Sequence, residues 1–148
     1  MGRVLILSAL LMVSSPIFSQ EINFINQLSG KKVVTFGEGV RMYMYALGRV
    51  PRGFDADVRT LKDTGLLKKD RYDADRPLRR GMLALMVARH LKLKGSLFYM
   101  MFDTRRYAHR ACVGEKIMAV NTSEFDKLTG DELIEVISIV TARMEGAK

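Results

Sequence analysis

The feature that most constrains this sequence is a pattern that occurs three times. Thr35-Phe36-Gly37-Glu38, Arg79-Arg80-Gly81-Met82 and Thr129-Gly130-Asp131-Glu132 read as three helix starts, 44 and 50 residues apart. The same apolar stripe follows each start: Met42, Met86 and Val136; Tyr43, Val87 and Ile137; Ala46, His90 and Val140. The segments ahead of the last two starts also match, at a spacing of 51, pairing Leu61 with Cys112, Leu66 with Ile117 and Leu67 with Met118. A recurring short helix, apolar pair, polar loop and longer helix must stack on its neighbours, because one copy cannot bury its own apolar side. The expected fold class is all-α, a compact bundle of short and medium helices, with repeats at about 35–93 and 96–140.

Local signals place the helices. Thr35 with Glu38, and Thr129 with Glu132, have capping-box spacing. The first of these helices stops at Gly48, and Pro51 marks a loop. Val58 to Asp63 predicts a short helix ended by Gly65. A helix starts near Leu78 or Arg79 and runs to about Leu93, with Gly95 as its stop. Asp103 or Thr104 caps the next, whose inward side holds Tyr107, Ala108, Ala111 and Cys112. The last carries Leu133, Val136, Ile137 and Val140 inward, with Ile134 and Ile139 widening the buried face. Glu21 to Gly30 reads as one short helix or an arm. Lys68 to Pro77 and Val120 to Lys127 read as loops.

The N-terminus has the three parts of a secretory signal: a positive start at Arg3, an apolar run from Val4 to Val13, and Ser19 as a small residue for cleavage before Gln20. The run is too short to span a bilayer as a helix. Removal of residues 1–19 leaves a single helical domain, 20–148, with no transmembrane segment, in the periplasm or secreted. Cys112 alone cannot form an internal disulfide, so an exported domain must hold itself by packing. Charge is uneven. Arg49 to Lys116 holds 17 basic and 8 acidic side chains, whereas residues 117–148 hold 3 and 6. Such a field attracts anionic partners and favours head-to-tail self-association. An exported chain is not expected to meet nucleic acid.

Together these residues resemble a diverged tandem of S-layer homology modules. Asp57-Val58 resembles the module start, Gly65-Leu66 the end of its short helix, and Pro77-Leu78-Arg79-Arg80 the entrance of the family motif. Leu128-Thr129-Gly130-Asp131-Glu132 resembles that entrance in a second unit, and Thr35 to Leu47 the closing helix of an earlier one. The resemblance covers Thr35 to Val140. It implies a helical scaffold in a bacterial envelope protein. Family members commonly bind acidic wall-linked polysaccharide through arginines in grooves between modules, and Arg80 stands at the motif arginine.

No catalytic set stands out. His90 falls on a core stripe, His109 is expected to be exposed beside Arg110, and two histidines with one thiol do not establish a zinc site. No phosphate-loop spacing is present, and no cofactor or metal is expected. The chain is therefore expected to bind rather than catalyse. The leading expectation is a structural or adaptor protein docking envelope proteins or further copies of itself, through an apolar interface at Tyr45, Phe98, Tyr99 and Met100. The alternative is an anionic cell-wall glycan held by Arg79, Arg80, Arg105, Arg106 and Arg110, whose guanidinium forks suit carboxylate or phosphate. Arg79 and Arg80 are expected to act with free amides at a helix start.

Overall fold

The computed structural model describes residues 16–69, 71–93 and 103–147, with side chains from Gln20 onward. Six helices occur among them: α1 (Pro16–Leu28), α2 (Phe36–Ala46), α3 (Phe54–Asp63), α4 (Arg80–His90), α5 (Arg105–Gly114) and α6 (Gly130–Glu145). No strand is present among the described residues, only two isolated bridges, Thr35 with Pro77 and Arg79 with Lys127. Pro16 opens α1, where its missing N–H costs nothing. The expected cleavage point after Ser19 therefore lies inside this helix, and the apolar run that precedes it lies outside the described residues.

The helices follow one another in three pairs: α1 with α2, α3 with α4, α5 with α6. The second helix of each of the first two pairs packs against the first helix of the next, α2 on α3 and α4 on α5, and the last closes on the first pair, α6 on α2 and α1. Backbone hydrogen bonds show the same closure at the centre. The Leu78 amide donates to the Val34 carbonyl at 2.9 Å, Leu128 to Leu78 at 3.0 Å, and Val34 to Leu128 at 3.0 Å. All three side chains are fully buried. Each amide inside this core needs such a partner, because an unpaired buried donor is costly. Truncation of Leu78 or Leu128 to Ala is expected to cost about 2–5 kcal/mol.

The first amide of the second helix in each pair is satisfied by the loop ahead of the next such helix: Phe36 by Arg76, Arg80 by Asp126 and Gly130 by Lys31, at 2.7, 2.9 and 2.8 Å. The second amides of α2 and α4, from Gly37 and Gly81, reach Ala74 and Glu124. At Gly130 and Gly81 the approach requires glycine. A Cβ on Gly130 would stand 1.7 Å from the Leu28 carbonyl oxygen, and one on Gly81 2.9 Å from that of Glu124.

Several expectations change here. The first pair begins earlier than the repeat suggests, because α1, Pro16–Leu28, supplies its first helix where Glu21 to Gly30 reads as a short helix or an arm. The helix before α4 starts at Phe54, not Val58. α4 ends at His90 rather than Leu93; Lys92 takes the left-handed position at φ 49° and the Leu93 amide donates back to Ala88. Gly95, the expected stop, lies outside the described residues. Lys116 does the same after α5 at φ 58°. The core of α4 is wider than a stripe: residues 81–88 are buried on every side, as an all-round apolar helix should be.

Candidate cationic cleft

The loop 68–79 and the starts of α4 and α5 enclose a cleft of about 380 Å³. Its rim carries Lys69, Arg71, Arg76, Arg79 and Arg105. Asp73 is the one carboxylate among the described lining residues, and it lies 3.4 Å from Arg76. Lys69, Arg71, Arg79 and Arg105 are exposed and have no acidic partner among the described residues. Tyr72 gives the cleft an apolar floor. Its ring is half-buried and stacks on Phe36 with centroids 5.1 Å apart. Its hydroxyl accepts from the Lys68 and Lys69 amides, which fixes the loop that presents Lys69 and Arg71.

The basic middle of the chain thus divides into paired and unpaired cations. Lys68 and Arg89 converge on Asp103, at 2.5 and 2.9 Å, and Arg89 also donates to the Leu66 carbonyl. Asp103 is exposed, and its carboxyl is held below its usual value first by the Arg89 hydrogen bonds, against the opposing push of burial, and then by Lys68. These two cations hold the loop and the approach to α5 onto α4.

The five arginines singled out from sequence do not form one site. Arg79 and Arg105 line the cleft. Arg106 and Arg110 line a second hollow of about 510 Å³ on the other side of α5. Neighbouring helical residues diverge by about 100° and residues four apart share a face, which separates Arg105 from Arg106 and unites Arg106 with Arg110. Arg80 is turned inward. Its side chain is 13% exposed, bonds the Glu132 carboxylate through Nη2, and places Nε 3.9 Å from Asp126. It braces two pairs and offers no free charge. The expectation of free amides beside Arg79 and Arg80 also fails, since the Arg80 and Gly81 amides are taken by Asp126 and Glu124.

Tyr45, expected at an apolar interface, is buried. α1 covers it, with the Phe24 ring 6.1 Å away. Phe98, Tyr99 and Met100 lie outside the described residues.

His109 is buried rather than exposed, with Nε2 3.0 Å from the Thr122 hydroxyl. The loop after α5 folds over it, which the charges of Arg106 and Arg110 on the same helix concealed. Burial lowers its pKa; Glu124 opposes that shift, Arg80 adds to it and Asp126 opposes it. His90 shares a 3.0 Å hydrogen bond with the Tyr43 hydroxyl, and burial lowers its pKa too. Cys112 is fully buried, its Sγ 3.7 Å from the Ala84 carbonyl, and burial pushes its thiol up to about 12. At neutral pH it is a packed thiol, not a thiolate nucleophile. No group of three or more His, Cys, Asp or Glu able to hold a metal occurs among the described residues. No described helix is long and apolar enough to cross a membrane.

Fold and site together define a closed ring of three helical pairs with a cationic cleft at the junction of the first two pairs and the start of the third. Comparison with protein-family models, with curated proteins and with solved structures finds no match to this chain.

Proposed function

We propose that the chain is a non-catalytic binding module of the cell envelope, exported through a cleaved signal peptide, that holds an acidic glycan in the cleft between loop 68–79 and the starts of α4 and α5. One observation carries this reading: four cations without acidic partners among the described residues converge on a single concave site with an aromatic floor. Guanidinium forks match carboxylate or phosphate, and the cleft walls reduce screening of their field. The resemblance to S-layer homology modules supports the same ligand class, with Arg79 and Arg105 in the place expected for Arg80. Docking of a protein partner, the leading expectation from sequence, is weakened because Tyr45 belongs to the core.

Affinity electrophoresis through a gel containing polygalacturonate, with neutral dextran as control, tests the proposal. The chain should be retarded by the acidic polymer alone, and less so as salt rises. Arg79→Ala/Arg105→Ala should weaken retention roughly tenfold or more, the scale for losing two charge-assisted contacts. Equal retention of variant and parent would remove this cleft as the site.

A further inference from the structure

The loops ahead of α4 and α6 share one backbone plan. The Arg76 and Asp126 carbonyls accept from the first amides of α2 and α4, and the Ala74 and Glu124 carbonyls from the second. In each loop a side chain also accepts from the amide two residues on: Asp73 from Asp75, and Ser123 from Phe125. Asp75 and Phe125 therefore occupy the same tip. The fold accepts an exposed aspartate there, so nothing in its construction calls for the aromatic ring. Yet Phe125 stands 67% exposed, and Val120 on the same loop 75% exposed.

Beside this loop, Arg106 and Arg110 project from one face of α5, exposed and without a partner among the described residues. The hollow between them and the loop carries the Thr122 and Ser123 hydroxyls. Its lining carboxylate, Glu124, offsets one of the two arginines, which leaves the face positive. Asp126 turns away, accepting from the Ser123 amide and facing Arg80.

We propose that this face is a peripheral contact for an anionic lipid bilayer: Phe125 and Val120 enter the acyl boundary while Arg106 and Arg110 engage lipid phosphates. Two apolar side chains projecting from a loop suit a fluid interface that closes around each, whereas a protein partner calls for a packed, contiguous apolar centre. The flanking arginines supply the attraction to anionic headgroups. This surface is separate from the glycan cleft and does not depend on it.

The chain contains no tryptophan, so Phe125→Trp provides a single reporter, with Asp75→Trp as the control at the equivalent tip. Phosphatidylglycerol–phosphatidylcholine vesicles should shift the emission of the first to the blue and leave the second unchanged. Arg106→Gln/Arg110→Gln, introduced with the reporter, should weaken vesicle binding by roughly 25-fold, about fivefold for each arginine. Arg79→Ala, in the cleft and not among the residues lining this hollow, should leave it within about twofold. No emission shift at position 125, an equal shift at both tips, or equal loss in both arginine variants would each overturn the proposal.

Discussion

At the start of α6 the Glu132 amide donates to the Thr129 hydroxyl at 3.2 Å, and the Thr129 amide donates back to the Glu132 carboxylate at 2.9 Å. Thr35 and Glu38 repeat this exchange at the start of α2. At the start of α4, in the same place in the ring, Arg79 makes no side-chain cap. The first two amides of α4 rest on loop carbonyls, and the helix is otherwise held by its own burial. Where local chemistry fixes two of the helices, tertiary packing fixes the third. The place that gives up its cap is the one that sets Arg79 at the cleft rim.

The largest test of this contrast is at the glycines beside the caps. Gly130→Ala is expected to lose about 4 kcal/mol or more in urea unfolding, because its Cβ meets backbone that cannot retreat. Gly37→Ala should change stability by less than about 1 kcal/mol, since a contact of 3.2 Å with Ala74 is offset by better helix propensity. Equal losses would mean that the two starts are equally crowded.

Next come the capping glutamates. Glu38 pairs with the partly exposed Lys31 at 2.5 Å, whereas Glu132 pairs with the largely buried Arg80. Glu132→Ala should cost about 3 kcal/mol by stranding that guanidinium, and Glu38→Ala about 1 kcal/mol for the cap alone. Arg79→Ser should do the reverse at α4: it adds the missing cap and gains about 0.5–1 kcal/mol. The same variant should bind polygalacturonate less well, a gain in stability obtained at the expense of the cleft.

The smallest effect is acid dependence. Burial pushes the Glu38 and Glu132 carboxyls up, but the hydrogen bonds at Thr35 and Thr129 and the cations Lys31 and Arg80 bring both below their usual 4.5. A lowered folded value means stability that is complete above about 4.5 and lost as pH falls through the folded values. The melting temperature of Glu38→Gln/Glu132→Gln should vary less with pH over that window than that of the parent.

Much of this was legible in the sequence because its signals are local. The two capping boxes lie within four residues each, and the apolar stripes follow helical spacing, so α2 and α6 stood out. The cationic cleft was half legible: Arg79 and Arg105 reach it, but no short-range pattern shows that Lys69 and Arg71 join them across a loop. Arg80 looked like its neighbour Arg79, although Glu132, which turns it inward, lies 52 residues away. The expected stop at Gly95 rests on glycine being the usual left-handed residue, but a second signal marks the true one. The left-handed residues Gly65, Lys92 and Lys116 are each followed by a buried apolar residue, Leu66, Leu93 and Ile117, whose contact holds the turn even where lysine must bear the strain.

The triangle of Val34, Leu78 and Leu128 also has a kinetic consequence. Its three bonds span nearly a hundred residues of chain, so no two helical pairs can complete it. A growing polypeptide halted before Leu128 would leave the Val34 donor and the Leu78 acceptor open at its heart. Completion of this triangle therefore waits for the C-terminal pair, a loop-closure step that local helix formation does nothing to shorten.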